Sequence, residues 1–207
     1  MNKNTNIKNI IFDLGGVLVD WNPDKVFIKV FEGDKQKLKH FYAEICTPDW
    51  NENQDAGYPI AKATKERVAL FPEFEKEIRM YYGRWAEMLG DQIQGTVDIL
   101  QKLTDAPEYK VVALTNWSHE TFPKAIKKFE FLQWFEGILV SGVEKTRKPF
   151  PEIYELTLKR FNLKAEESLF IDDSLRNIEA AKALGIHSIQ FHSPEQLAQE
   201  LEDYIKF

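Results

Sequence analysis

Four short stretches hold the side chains able to do chemistry. "IIFDLGGVLVD" sets Asp13 at the end of an apolar run, just before Gly15 and Gly16. A carboxylate so placed can act as a nucleophile, and glycines allow a tight turn with close backbone approach. "VVALTNW" ends a second apolar run at Thr115, whose hydroxyl, with the Asn116 amide, suits phosphoryl oxygens. "TRKPFPEIY" offers Lys148, a point charge able to neutralise a carboxylate and a bound phosphate together. Its neighbours Lys145 and Arg147 are rivals for that role and are otherwise expected in solvent. "LFIDDSLRN" places Asp172 and Asp173 side by side. Adjacent carboxylates repel and call for a cation, and hard oxygen donors suit Mg²⁺. Singly, each stretch reads better as a structural feature, such as a turn aspartate, a helix start or a solvent lysine, than as a site. Four in this order, each at an expected strand end, read as one site.

The elements that must position them are legible as well. Runs rich in β-branched residues ("NIIF", "YKVVAL", "GILV", "SLFI", "HSIQF") read as buried parallel strands. Between the later ones lie helical patterns. Phe122, Ile126 and Phe129 share one face, with Ser118 as the expected N-cap. Ile178, Ala181 and Leu184 share another, with Ser174 as cap and Gly185 just past the end. Alternating strands and helices predict an α/β fold, a Rossmann-like parallel sheet in three α/β/α layers with active groups at the strand C-termini. Residues 21–92 break the rhythm and read as several helices without a strand. They predict a helical cap domain inserted into a core of residues 1–20 and 93–207, with "DWNENQDAGYP" as a cap loop.

Composition narrows the function classes. The 207 residues carry 27 Lys and Arg against 33 Asp and Glu, a net charge of −6, which argues against a nucleic-acid surface. Cys46 is the only cysteine, so no intrachain disulfide forms, and a buried packing role is expected for it. The first apolar run is broken by Asp13, unlike a signal peptide, and nothing approaches the roughly 20 apolar residues of a membrane span. A cytoplasmic monomer or weak homodimer, bound to neither membrane nor nucleic acid, is the expectation.

With these motifs in this order the chain resembles the haloacid dehalogenase-like (HAD) superfamily, in its subfamily with a helical cap. It looks closest to the bacterial branch with "DLGGVLVDW", "LTNWSHETFP", "KPFPEIY" and "FIDDSLRN". That branch includes sugar-phosphate phosphatases of the α-glucose-1-phosphate phosphatase type, and the resemblance spans the whole chain. It implies a phosphatase of small phosphorylated metabolites in which Asp13 attacks phosphorus and forms an aspartyl-phosphate. Asp13, the Gly15 carbonyl and Asp173, with Asp172 directly or through water, would hold Mg²⁺. Thr115 and Asn116 would bind phosphoryl oxygens, Lys148 would balance charge, and Asn177 would orient the metal site. Trp50, Asp55 and Trp117 are candidate substrate contacts.

The chain departs from the superfamily pattern at Gly15, where most of its phosphatases carry an aspartate that protonates the leaving group. General acid–base help is worth roughly 10²–10⁴-fold, so its loss slows a phosphatase without abolishing it. Sugar 1-phosphates, whose hemiacetal leaves easily, fit that loss. Two alternatives stand beside the phosphatase: a 2-haloacid dehalogenase, whose halide needs no proton, and a non-catalytic phosphate binder. Asp172 and Asp173 weigh against the first, and the retained nucleophile and lysine against the second. Asp20, Asp55 and His119 are the candidates for a substitute proton donor.

Overall fold

The structure, a computed structural model, describes residues 6–206. Its strands in chain order are β1 (Asn9–Phe12), β2 (Val19–Trp21), β3 (Leu89–Gln92), β4 (Lys110–Thr115), β5 (Ile138–Val140), β6 (Ser168–Asp172) and β7 (His187–Gln190). Five of them make one parallel sheet in the order β5-β4-β1-β6-β7. From β1 the chain moves outward through β4 to β5, then crosses back to β6 and β7. The direction of winding reverses between β1 and β6, so a crevice opens beyond their C-terminal ends.

The apolar runs are continuous because both sheet faces are covered. Alternate side chains point to opposite faces. Ile10 and Phe12 join a cluster with Val97, Leu100, Leu197 and Leu201, while Ile11 joins one with Ile153, Phe170, Ile178 and Ala181. The covering helices are one layer on each side, as the sequence predicts.

The helices of the insert are α1 (Asp24–Val30), α2 (Lys35–His40), α3 (Pro48–Asp55), α4 (Ile60–Leu70), α5 (Glu75–Gly83) and α6 (Trp85–Met88). They pack around their own aromatic cluster, in which Phe27, Phe41, Trp50, Ile78 and Tyr81 are buried. We take this unit as the cap. Two details differ from the sequence expectation. The insert is not wholly helical, because β2 and β3 pair antiparallel as its stem. The expected loop at "DWNENQDAGYP" is largely α3. Thr47 Oγ1 accepts from the Trp50 N–H at 3.2 Å and Pro48 fills the first turn, a start signal the polar residues after it obscure.

The remaining helices belong to the sheet layers: α7 (Gln94–Asp105), α8 (Phe122–Lys128), α9 (Ser141–Glu144), α10 (Pro151–Phe161), α11 (Leu175–Ala183) and α12 (Pro194–Leu201). Of the two expected serine caps, one takes the N-cap position and neither makes a side-chain cap bond. α8 begins after Thr121, and Ser118 Oγ accepts instead from the Glu120 N–H. Ser174 does precede α11, but makes no side-chain cap bond. Gly185 closes α11 at φ +79°, as expected of a residue past a helix end.

Candidate active site

The C-terminal ends of β1, β4 and β6 bring the four sequence motifs together. Asp13 follows β1, is nearly buried, and its Oδ1 accepts from the Leu14 N–H at 2.7 Å. Its Oδ2 lies 2.9 Å from Lys148 Nζ. The fully buried Lys148 ammonium also donates to Asp172 Oδ2 at 2.6 Å and to the Leu114 carbonyl at 3.2 Å. Burial works against the Lys148 charge, but Asp13 and Asp172 overcome it and hold the ammonium above its ordinary pKa. Burial pushes Asp13 up to about 7 against the pull of Lys148.

Asn116 has an unforeseen task. Its side chain donates to the Lys148 carbonyl at 2.9 Å and accepts from the Lys148 N–H at 2.8 Å. This reciprocal pair fixes the backbone that carries the lysine, so the Asn116 side chain is occupied in positioning. Thr115 is buried at the end of β4, and its Oγ1 has no hydrogen-bond partner among the described residues. A buried hydroxyl left unpaired is costly, and an incoming oxygen would satisfy it.

The two adjacent aspartates divide the work. Asp172 is fully buried and its oxygens accept from Lys148, from the Ser174 N–H at 2.8 Å and from Asn177 Nδ2 at 3.0 and 3.1 Å. Protein donors therefore already hold it, and Asn177 acts through it. Asp173 lies on the cavity wall. Oxygens of Asp13, Asp172 and Asp173 all fall within 4.8 Å of one another. That all-oxygen, anionic donor set fits a hard divalent cation. Gly16 has φ +76°, and a Cβ there would stand 2.5 Å from Asp173 Oδ2, so both its backbone and its missing side chain serve this approach.

A cavity of about 550 Å³ opens above these groups. Asp13, Gly15 and Asp173 line its floor, and Asp55, Asn51 and Glu52 of α3 come in from the cap. Trp21, Tyr81, Trp85 and Trp117 supply aromatic wall. Of the cap residues singled out in the sequence, Asp55 reaches this cavity. Trp50 lies in the cap core, edge-on to Tyr81 with ring centroids 5.3 Å apart. Tyr154 is likewise a core residue, its hydroxyl donating to the Asn177 carbonyl at 3.0 Å. His119 is exposed and lines no wall of the cavity.

Contacts between cap and core went unread in the sequence. Glu52 pairs with Arg147 at 2.8 Å and with Arg176. Arg147 is therefore a buried-side partner of the cap, against the expectation of a solvent residue. Ser141 Oγ donates to the Asp55 carbonyl at 2.5 Å and accepts from the Trp117 N–H at 2.9 Å. The partners are up to 124 residues apart in the chain, and nothing in local spacing announces them.

Comparison with known proteins agrees with this geometry. A family model described as haloacid dehalogenase-like hydrolase matches residues 10–191. The chain is 28% identical to the sesquiterpene phosphatase astK of Aspergillus oryzae, over 96% of this chain and 95% of that one. It is 26% identical to the D-ribitol-5-phosphate phosphatase of Bacteroides thetaiotaomicron, over 94% and 97% respectively. Among solved structures it is similar to the HAD family enzyme bt-2542 of Bacteroides thetaiotaomicron in complex with magnesium and inorganic phosphate. That similarity has a TM-score of 0.70 at 25% identity, covering 90% of this chain and 95% of that one. With the sheet order, the four motifs and the family match in accord, the chain belongs to the haloacid dehalogenase-like hydrolases.

Proposed function

We propose that this hydrolase is a Mg²⁺-dependent phosphatase of small phosphorylated metabolites, with Asp13 as nucleophile. The observation that carries the reading is the placement of Asp13 between a buried ammonium and a second, exposed carboxylate, Asp173, at one cavity floor. A haloalkanoate needs no such acidic cluster. A phosphate monoester does, because its own charge must be balanced beside a carboxylate nucleophile.

Asp13 and Asp173 would hold the cation, with Asp172 behind them steering Lys148. When bound, the metal supplies charge neutralisation at the phosphoryl oxygens. The chain's own residues do the rest. Lys148 favours the ionised form of Asp13 against its burial and holds it in place through their 2.9 Å contact, and Leu14 N–H fixes the other oxygen. The unpaired Thr115 hydroxyl offers a donor to a phosphoryl oxygen. Attack by Asp13 Oδ2 on phosphorus forms the aspartyl-phosphate, and water then releases inorganic phosphate. Sugar phosphates fit a cavity where Asn51 and Asp55 face aromatic walls. The extent of that aromatic wall also favours a second class, monoesters of apolar alcohols, and a substrate panel spanning both classes separates them.

The test is metal titration. Wild type should hydrolyse p-nitrophenyl phosphate with Mg²⁺ and lose that activity in excess chelator. Asp173→Asn should raise the Mg²⁺ midpoint by more than the roughly 10–100-fold that loss of an outer-shell partner costs. Full activity in chelator would refute the reading and restore the dehalogenase alternative.

A further inference from the structure

Building on the phosphatase reading, we propose that Asp55 of the cap is the catalytic acid and base that the chain lacks at Gly15. Gly15 itself lines the cavity, and an ideal Cβ there meets no heavy atom within 4 Å. The space an acidic side chain would fill is therefore open. Asp55 faces the same cavity from above, at the last turn of α3.

Its carboxyl is held in place rather than free. Oδ1 accepts from the Ser118 N–H at 3.1 Å, and Oδ2 accepts from Asn51 Nδ2 at 2.9 Å. Asn51 is in turn fixed by the Tyr82 hydroxyl at 3.0 Å. The Asp55 carbonyl is tied to the core by Ser141, and the helix by Glu52 to Arg147. Such double anchoring is what a proton donor needs to meet a leaving oxygen reproducibly.

The charges around it leave it protonated near neutrality. Burial raises the Asp55 carboxyl to about 8. Glu52 on its own helix and Asp13 across the cavity push the same way, while the Ser118 N–H and Arg147 pull down. A group poised near the working pH is suited to both halves of acid–base catalysis.

Rival groups are otherwise engaged. Asp20 is paired with Lys25 at 2.5 Å outside the cavity lining, and His119 is exposed elsewhere. Within the cavity, Glu52 is held by two arginines. The Tyr42 hydroxyl donates to Asp24 at 3.0 Å, and burial lifts the Cys46 thiol to about 12.

The proton inventory closes. As Asp13 Oδ2 bonds to phosphorus, the bond to the leaving oxygen breaks and that oxygen takes the Asp55 proton. The Asp55 carboxylate then takes a proton from water as the water oxygen attacks the aspartyl-phosphate. The phosphorus–Asp13 bond breaks, inorganic phosphate leaves, and both aspartates are restored.

The test compares an alkyl phosphate, which needs a proton, with p-nitrophenyl phosphate, which does not. In wild type, kcat/KM for the alkyl ester should fall about tenfold per pH unit above the acid's pKa, while the aryl ester shows no such limb. Asp55→Asn should lower alkyl kcat/KM by about 10²–10⁴-fold and aryl kcat/KM by less than about tenfold, with the Mg²⁺ midpoint unchanged. Adding Gly15→Asp to Asp55→Asn should recover much of the alkyl activity, whereas Gly15→Asp alone should add little. Equal losses on the two esters, or no loss, would overturn the proposal and leave the phosphatase reading standing. The wild-type pH comparison decides the matter even if Asp55→Asn fails to fold, since identical profiles for the two esters exclude Asp55 as the acid. A wild type inert toward both esters in Mg²⁺ would overturn the phosphatase reading and the proposal together.

Discussion

Asp13→Asn should lower phosphate-ester turnover by about 10⁴–10⁶-fold, the range seen when single members of a catalytic triad are removed. An amide cannot form the acyl-phosphate, so little chemistry remains for Lys148 or the metal to assist. The substitution is nearly isosteric, and its carbonyl oxygen can still accept the 2.7 Å bond from the Leu14 N–H. The amide nitrogen would face the Lys148 ammonium, but Asp172 remains 2.6 Å from that ammonium and keeps it paired. The fold should therefore persist, with a denaturation midpoint close to wild type. Single-turnover assays with intact, folded protein make the check. Turnover within tenfold of wild type would remove Asp13 from the nucleophile's role.

Lys148→Met should damage both stability and activity. The lysine is fully buried and sits between Asp13 and Asp172, so its removal leaves buried carboxylates without their counter-charge. Breaking a buried pair from one side typically costs about 3–5 kcal/mol. Methionine preserves most of the volume, and what it removes is the ammonium, including its position 5.4 Å from the centre of the Phe170 ring. The loss then reports charge rather than a cavity. Its pH dependence has a definite sign. In the variant, Asp13, which burial already raises, loses the opposing pull of Lys148, so its folded pKa stands above its unfolded one and the folded state gains stability as pH falls. The deficit relative to wild type should shrink from pH 8 toward pH 5. Lys148 itself, held above its ordinary pKa, contributes its full stabilisation below about pH 10 and loses it only as pH rises beyond that. Urea denaturation at several pH values tests both statements. A deficit independent of pH would mean that packing, not charge, explains the cost.

The sequence by itself determined the sheet and the floor of the site. Each strand run is apolar throughout because helices cover both sheet faces, and the chemistry-bearing residues stand at the strand ends, where a parallel sheet must open. Asp13, Thr115, Asp172 and Asp173 are local signals of this kind, short motifs attached to a run whose period can be counted; Lys148, expected at a strand end too, stands instead in the turn between α9 and α10.

Only the tertiary structure decided how those residues share the work. That Asp172 is held by Lys148 and Asn177 while Asp173 faces the cavity follows from where two adjacent side chains point after β6. The Asn116 clamp on the Lys148 backbone joins positions 32 residues apart, and Arg176 meets Glu52 across 124. The cap is the extreme case. Trp50 and Asp55 lie on the same short helix five residues apart, yet one enters the aromatic core of the insert and the other lines the cavity that Asp13 also lines. Helix periodicity can sort residues onto faces, but α3 is packed on two sides, by the cap and by the core. Which face meets which neighbour is fixed by contacts such as Ser118 with Asp55, made by segments 63 residues away.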